Sequence, residues 1–231
     1  MKIGIYGGAF NPVHYGHLRT AQEVSEMLFI DKILFVPSGR TPFDKPDLAK
    51  AYHRHEMVKA AIGGNPHFEV SDIEVKRRGK SYTVDTIQTL RSTYRDCELL
   101  FILGIDAFLD LAGWKQPDIL IDLADLVVIS RPGYTFTDLS SSSYLKRVSG
   151  KTLRDLDTGK MKVFSFSISA RHTCHLCSVT GLNISASQIR NLVSSGKTIK
   201  YLLPDSVKSY IISNKLYKGE AGKRSEKKGR V

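Results

Sequence analysis

The chain has 231 residues, 42% of them hydrophobic and 9% aromatic, which is enough for one sizeable globular domain. We find no apolar run near the roughly 18 residues that a membrane-spanning helix needs, and no N-terminal pattern typical of a signal peptide. We therefore expect a cytoplasmic protein without membrane contact. Three cysteines do not predict a framework of disulfides.

The formal net charge of +11 raises the question of nucleic-acid binding. Part of the excess lies in residues 218–231, a basic tail with almost no apolar residues that we expect to be disordered. Phosphate-rich small ligands would equally favour the basic residues of the remaining chain. We therefore expect a single domain over residues 1–217 and do not expect nucleic acid as a partner. Self-association into a homo-oligomer stays open.

Apolar runs typical of strands alternate with segments of helical periodicity along the chain. Strands are predicted over 2–6, 32–36, 68–75, 98–103, 124–130 and 162–167. Helices are predicted over 18–29, 49–62, 82–94 and 204–213, and from residue 185 onward. This alternation indicates an α/β fold, a Rossmann-like, doubly wound and mostly parallel sheet with helices on both faces. The polar segment 134–160 is expected to be a surface excursion outside the core.

The first predicted strand leads directly into a glycine-rich turn and two histidines, with the sequence Gly7-Gly8-Ala9-Phe10-Asn11-Pro12-Val13-His14-Tyr15-Gly16-His17. A helix N-terminus carries unpaired N–H donors and partial positive charge, which suit a phosphate. His14 and His17 are three residues apart, so they lie on one face of the first helical turn. Gly16 leaves room for a ligand to approach the backbone. The segment therefore predicts a site for a nucleoside triphosphate.

A second motif lies near the other end of the chain, Ile184-Ser185-Ala186-Ser187-Gln188-Ile189-Arg190. Ser185 and Gln188 have the spacing of a helix capping box. Ser187 and Arg190 follow on successive turns, where a hydroxyl and a guanidinium can bind phosphate. The two segments resemble the H/T-x-G-H and I-S-x-S/T-x-x-R signatures of one nucleotidyltransferase superfamily. Its members transfer a nucleotide from a triphosphate to a phosphate.

Further segments narrow the resemblance to the bacterial nicotinate-nucleotide adenylyltransferases. They are residues 77–86, residues 101–106 followed by Trp114, residues 128–134 and residues 201–204. The resemblance implies transfer of AMP from Mg²⁺-ATP to nicotinic acid mononucleotide, which yields nicotinic acid adenine dinucleotide and pyrophosphate in NAD biosynthesis. Another member of the superfamily, with nicotinamide mononucleotide, phosphopantetheine or a polyol phosphate as acceptor, is the alternative.

The resemblance also implies roles for individual residues. The implied catalytic residues are His14, His17 and Arg190. The implied ATP-binding residues are Gly7, Gly8, Ala9, Phe10, Gly16, Lys45, Gly104, Asp106, Ile184, Ser185 and Ser187. The implied residues for the mononucleotide are Tyr82, Thr83, Val84, Trp114 and Arg131. In physical terms, N–H groups at a helix start suit a pyridine carboxylate, an indole suits stacking and an arginine suits a phosphate.

Four departures from the family pattern are visible. The family usually has Thr and Asp where this chain has Ala9 and Asn11, and Phe43 replaces a usual His in the loop that contains Lys45. Residues 171–177 are extra, and their His172, Cys174, His175 and Cys177 could bind Zn²⁺. Because zinc sites normally join ligand pairs from more distant segments, we interpret this stretch as a plain loop without a metal.

Overall fold

A computed structural model describes residues 1–41, 47–145 and 148–219. Phe43, Lys45 and the tail beyond residue 219, which carry expectations from the sequence, lie outside the described residues. No helix in the described ranges is long and apolar enough to cross a membrane.

The described residues form seven strands and eight α-helices. The strands are β1 (Lys2–Gly8), β2 (Lys32–Pro37), β3 (Phe68–Val70), β4 (Glu98–Gly104), β5 (Asp125–Ile129), β6 (Val163–Ser167) and β7 (Thr173–Cys177). The helices are α1 (Tyr15–Leu28), α2 (Ala51–Ile62), α3 (Thr83–Thr93), α4 (Ile105–Leu109), α5 (Pro117–Ile121), α6 (Gly150–Asp157), α7 (Ala186–Ser194) and α8 (Asp205–Ser213). Short 3₁₀ turns cover Leu111–Gly113, Phe136–Ser141 and Ser143–Leu145.

The strands make one sheet in the order β3-β2-β1-β4-β5-β7-β6. All neighbours are parallel except β6 and β7, which are antiparallel. The order reverses between β1 and β4, and ligands of such sheets bind beyond the carboxyl ends of the strands at that reversal. The Rossmann-like, doubly wound fold is thus confirmed.

Helices cover both faces of the sheet because each central strand carries apolar residues on both sides. On one face, Ile5 and Phe101 pack with residues of α3 and α6. On the other face, Phe35 and Ile102 pack with residues of α1, α2 and α8. The sheet is therefore buried throughout its centre, and its carboxyl edge is where the loops gather.

The expectation of a plain loop over 171–177 is wrong, because Thr173–Cys177 is strand β7. Cys174 belongs to the core on one face and Cys177 to the core on the other, so the two thiols cannot bind one metal ion together. His172 Nδ1 instead donates to Asp125 Oδ1 at 2.8 Å, and the same oxygen accepts from the Thr173 N–H. Cysteine is among the most buried residue types, so the alternation of Cys174 and Leu176 was the available signal.

The expectation of a surface excursion over 134–160 is also wrong in part. Five apolar residues of this polar segment are buried in the core: Phe136, Leu139, Leu145, Leu153 and Leu156. Leu153 and Leu156 lie on the same face of helix α6, three residues apart. In the sequence, the serine-rich composition of this segment was a stronger signal than its few leucines at helical spacing, and it led to the wrong prediction.

Arg54 joins three segments at the carboxyl edge of the sheet. Its side chain lies on α2 and is only 1% exposed. The guanidinium donates to the carbonyls of Ala9 (2.8 Å), Ala49 (2.9 Å) and Ser38, and to the Ser38 hydroxyl (3.2 Å). It therefore fixes the β1–α1 loop, the end of β2 and the approach to α2 relative to one another.

We predict that Arg54→Met destabilises the fold by about 3 kcal/mol or more. Methionine keeps much of the buried stem but leaves the carbonyls without donors, and each unsatisfied buried group costs roughly 1–3 kcal/mol. Urea unfolding measures the change. Arg95→Met is the matched control, because Arg95 is exposed and binds only the Ser92 carbonyl among the described residues; its free energy of unfolding should change by less than about 0.5 kcal/mol. Equal stability of the two variants would contradict the prediction.

Candidate functional site

The glycine-rich turn follows the end of β1, and its backbone is tightly packed. Phe10 has a φ of 44°, in the left-handed region that non-glycine residues seldom adopt. Its ring is buried and lies edge-on to Tyr6, with centroids 5.6 Å apart. A Cβ on Gly8 would lie 3.1 Å from that ring, so the turn needs glycine there. Phe10 therefore supports the loop from beneath with its side chain, and only its backbone is left for a nucleotide.

His14 and His17 face each other at the start of α1. Their ring centroids are 3.8 Å apart, with a 33° angle between the planes. The backbone N–H of His14 donates to His17 Nδ1 at 3.3 Å, so a neutral His17 carries its proton on Nε2. Nδ1 of His14 is buried and has no hydrogen-bond partner among the described residues. The histidine pair therefore includes a hydrogen-bonding atom, His14 Nδ1, that no group of the described residues uses.

Both histidines are neutral at physiological pH in the free chain. Burial lowers the pKa of His14 to about 4, and the positive charge of Arg131 acts in the same direction. Burial also holds the pKa of His17 well below its usual range. Electrostatic interactions with His14 and Arg131 lower this pKa further. An anion beside the rings would reverse these electrostatic effects and favour the protonated forms.

The second motif folds back onto the first one. Ser185 caps α7 by accepting from the Gln188 N–H at 3.1 Å. A Cβ on Gly16 would lie 3.0 Å from the His14 ring and 3.8 Å from the Ile184 carbonyl oxygen. Gly16 is therefore the point at which the starts of α1 and α7 come together.

Arg190 connects the two motifs directly. Its Nη1 donates to the Asn11 carbonyl at 3.0 Å, and its Nη2 to the Ser187 hydroxyl at 3.3 Å. Residues separated by most of the chain length are thus joined by one guanidinium at the carboxyl edge. The structure thus brings the Ser187 and Arg190 side chains of the second motif to the loop that precedes His14 and His17.

The two helix starts differ in the donors that they offer. At α1, the N–H of Tyr15 donates to the Leu202 carbonyl and that of His17 to the His14 carbonyl, which leaves Gly16 in the first turn. At α7, the N–H groups of Ala186 and Ser187 precede the first hydrogen bond of the helix. The α7 end is therefore the richer source of backbone donors, contrary to the emphasis that the sequence placed on α1.

Asp106 and Arg131 form an ion pair beside Gly104. Arg131 Nη1 lies 2.7 Å from Asp106 Oδ2, whereas Oδ1 is buried without a hydrogen-bond partner among the described residues. A Cβ on Gly104 would collide with that same oxygen. The sequence assigned these two residues to different ligands, and the structure couples them.

The start of α3 forms the other end of the candidate site. The N–H groups of Thr83 and Val84 precede the first hydrogen bond of the helix, which runs from the Thr86 N–H to the Tyr82 carbonyl. Trp114 is half-buried, with its ring edge-on to Phe101 at 6.3 Å. Lys115 lies 4.7 Å above the Tyr82 ring and binds Asp85 at 2.9 Å. Sequence reasoning missed Lys115, although it directly follows the single tryptophan.

Glu74 and Ser81 are further residues that sequence reasoning missed. The Glu74 carboxylate accepts from the Gly39 N–H at 3.1 Å and from the Thr86 hydroxyl at 2.7 Å. Ser81 is 6% exposed, and its hydroxyl has no hydrogen-bond partner among the described residues. Glu74 thus ties the end of β2 to the first turn of α3, which sets the width of this part of the site.

Comparison with known proteins identifies the family to which the chain belongs. Residues 5–197 match the model of the family described as cytidylyltransferase-like. A relative from Moorella thermoacetica, named a probable nicotinate-nucleotide adenylyltransferase, is 39% identical over 219 residues, which cover 94% of this chain and 92% of the relative. A relative of the same name from Citrifermentans bemidjiense is 36% identical, over 94% of this chain and 98% of the relative.

Solved structures share the fold. The nicotinic acid mononucleotide adenylyltransferase of Plasmodium falciparum complexed with NaAD has a TM-score of 0.67 at 20% identity, over 94% of this chain and 97% of that chain. The same enzyme complexed with APC has a TM-score of 0.66 at 21% identity, over 94% and 96% of the two chains. The sequence relatives span nearly the whole chain and carry the family assignment, so this protein belongs to the nicotinate-nucleotide adenylyltransferase family.

Proposed function

We propose that this chain transfers AMP from ATP to nicotinic acid mononucleotide and releases pyrophosphate. The observation that carries the proposal is the Arg190 guanidinium of the second motif, which donates to the Asn11 carbonyl in the loop that leads to the paired rings of His14 and His17. The names of the relatives support the choice of acceptor.

The triphosphate is assigned to the region between the starts of α1 and α7. Nε2 of His17 donates to a phosphate oxygen, since its Nδ1 is already an acceptor. The free N–H groups at the start of α7 and the Arg190 guanidinium bind the departing phosphates. The free Oδ1 of Asp106 accepts from a ribose hydroxyl next to Gly104.

The mononucleotide is assigned to the region between Trp114 and the start of α3. A pyridine carboxylate takes hydrogen bonds from the Thr83 and Val84 N–H groups, while the indole of Trp114 stacks on the ring. Arg131 binds the mononucleotide phosphate with the guanidinium donors that Asp106 leaves free. The Asp106–Arg131 pair then lies between the two substrates and sets their relative position.

The chemistry proposed is direct in-line attack. An oxygen of the mononucleotide phosphate forms a bond to the α-phosphorus of ATP as the bond to pyrophosphate breaks, so no covalent enzyme intermediate forms. Such a reaction needs alignment of two anions and stabilisation of the charge on the leaving group. Histidines, an arginine and a helix start supply both without a nucleophilic side chain.

Mg²⁺ is proposed to enter with ATP. The described residues contain no group of three His, Cys, Asp or Glu side chains that could hold a metal ion. Phosphate oxygens and water would therefore supply its ligands, and the ion would neutralise phosphate charge.

The first test is pyrophosphate release from Mg²⁺-ATP with nicotinic acid mononucleotide as acceptor. Parallel reactions contain nicotinamide mononucleotide, phosphopantetheine or no acceptor. We expect release with the acid mononucleotide to exceed release with the amide, because N–H donors favour a carboxylate. The proposed substrate would be overturned if pyrophosphate were released only with phosphopantetheine. It would also be overturned if no acceptor gave more pyrophosphate release than the others.

We predict that His17→Ala lowers kcat by about 10² or more, since removal of one donor to developing charge has this effect in other enzymes. The melting temperature should stay close to that of the wild type. His67→Ala is the control, because His67 is exposed and contacts the Asp31 carbonyl away from the site. A kcat within threefold of the wild type would remove His17 from the mechanism.

We predict that ATP binding takes up a proton at His14. The pKa of His14 is about 4 in the free chain, and triphosphate beside the ring raises it. Between these two pKa values the complex holds the extra proton, so ATP affinity increases as the pH falls, by up to about tenfold per pH unit.

Calorimetric titrations at pH 8, 7 and 6 measure this effect, in two buffers of different ionisation enthalpy. His14→Asn is titrated in parallel, so that protonation of the nucleotide itself cancels in the comparison. The wild type should show the steeper pH dependence and the larger proton uptake. Identical slopes for the two proteins would contradict the assignment of His14 to the triphosphate.

A further inference from the structure

Asn11 lies where four hydrogen bonds meet in the β1–α1 loop. Its side-chain Oδ1 accepts from the Ala49 N–H at 3.1 Å and from the Tyr217 hydroxyl at 2.8 Å. Its Nδ2 donates to the Asp47 carbonyl at 2.9 Å. Its backbone carbonyl accepts from Arg190 at 3.0 Å. The amide orientation is fixed by its partners, and so is the carbonyl that holds Arg190.

Tyr217 reaches this amide from the far end of the described chain. After α8, the Leu216 N–H donates to the Ile211 carbonyl at 3.0 Å, which closes the helix end. Lys215 and Tyr217 then have φ values of 53° and 60°, in the left-handed region. Two non-glycine residues seldom adopt this conformation so close together, and here it turns the chain back toward the β1–α1 loop.

The Tyr217 ring packs against the core that includes α1, α2 and α8. Burial raises the pKa of its hydroxyl, while the nearby charges of Arg190 and Arg54 act in the opposite direction. The hydroxyl is therefore a neutral donor within the field of both arginines of this edge. A phenylalanine would supply the same packing but could not donate to Asn11.

We propose that Tyr217 is a positioning residue for adenylyl transfer, which acts through Asn11 on Arg190. Its hydroxyl holds the Asn11 amide, the amide fixes the loop, and the loop carbonyl orients the guanidinium toward the departing phosphates. The inference rests on the role proposed above for Arg190. It places the functional boundary of the domain after Tyr217, beyond helix α8.

Tyr217→Phe tests the proposal, with Tyr210→Phe as a matched control. Tyr210 lies on α8, and its hydroxyl is hydrogen-bonded to His53 Nδ1 at 3.0 Å. This tyrosine hydrogen bond is of the same kind and joins α8 to α2. Steady-state kinetics with each substrate varied, the melting temperature and the calorimetric Kd for Mg²⁺-ATP are measured for both variants. Tyr217→Phe is also combined with Arg190→Ala.

We expect Tyr217→Phe to lower kcat/KM for ATP by about tenfold, the effect of one ordinary hydrogen bond. The KM for the mononucleotide should stay within twofold, and Tyr210→Phe should behave as the wild type. In the Arg190→Ala background, Tyr217→Phe should change the Kd for ATP by less than twofold, because the residue through which it acts is gone. Such non-additivity would not arise from a purely structural role.

Two results would overturn the proposal: kinetics of Tyr217→Phe equal to those of Tyr210→Phe, or the same fold-change in ATP affinity with and without Arg190. Failure of the proposed function is a separate outcome, seen as wild-type protein that releases no pyrophosphate with the acid mononucleotide. The Kd for ATP remains informative in that case, because it does not depend on the acceptor.

Discussion

Arg54 places a permanent positive charge beneath the β1–α1 loop. The groups that accept its hydrogen bonds are uncharged oxygens, and the Glu74 carboxylate acts on it electrostatically. The hydrogen bonds that the described residues give this guanidinium go to carbonyls and one hydroxyl. A carboxylate partner would neutralise the charge, whereas carbonyl dipoles solvate it and leave the net charge in place. The same side chain can therefore hold three loops together and contribute positive potential where an anion is to bind.

The fold leaves a few buried polar side-chain atoms of the described residues without hydrogen-bond partners. Buried polar groups without partners are costly and uncommon in folded proteins. Among the described residues, the buried side-chain atoms in this state are His14 Nδ1, Ser81 Oγ and Asp106 Oδ1. They belong to the β1–α1 turn, the approach to α3 and the end of β4, which are the segments assigned to the two substrates. Ligand binding would supply the partners that folding does not.

The sequence predicted the site best where a function depends on local chain geometry. Two short motifs of this kind are the paired histidines after a glycine turn and the serine cap followed by Arg190. In both, the residue spacing determines which side chains lie together at the start of a helix. The alternation of strands and helices likewise predicted the sheet. The errors concern segments whose burial depends on distant contacts: β7 was obscured by His175 and the preceding His172, and the leucines of α6 by the serines before them.

Arg54 shows why the remainder of the site was out of reach. In the sequence it lies between two histidines at a helix start, a pattern typical of a solvated face, and only the folded chain brings the Ala9 and Ser38 carbonyls to it. The Asp106–Arg131 ion pair could not be predicted for the same reason, because its partners come from loops that follow different strands. Sequence spacing carries no information on which loop tips meet at the sheet edge.

The substitution at position 11 follows from the same network. An aspartate, usual in the family, would offer two acceptor oxygens, whereas Asn11 offers one acceptor and one donor. The donor is used, since Nδ2 meets the Asp47 carbonyl at 2.9 Å, and a carboxylate oxygen there would face that carbonyl without a proton between them. The acceptor still serves Ala49 and Tyr217. Asparagine therefore preserves the contacts with Ala49 and Tyr217 and adds a hydrogen bond to the loop that precedes α2, without placing a negative charge beside the proposed triphosphate site.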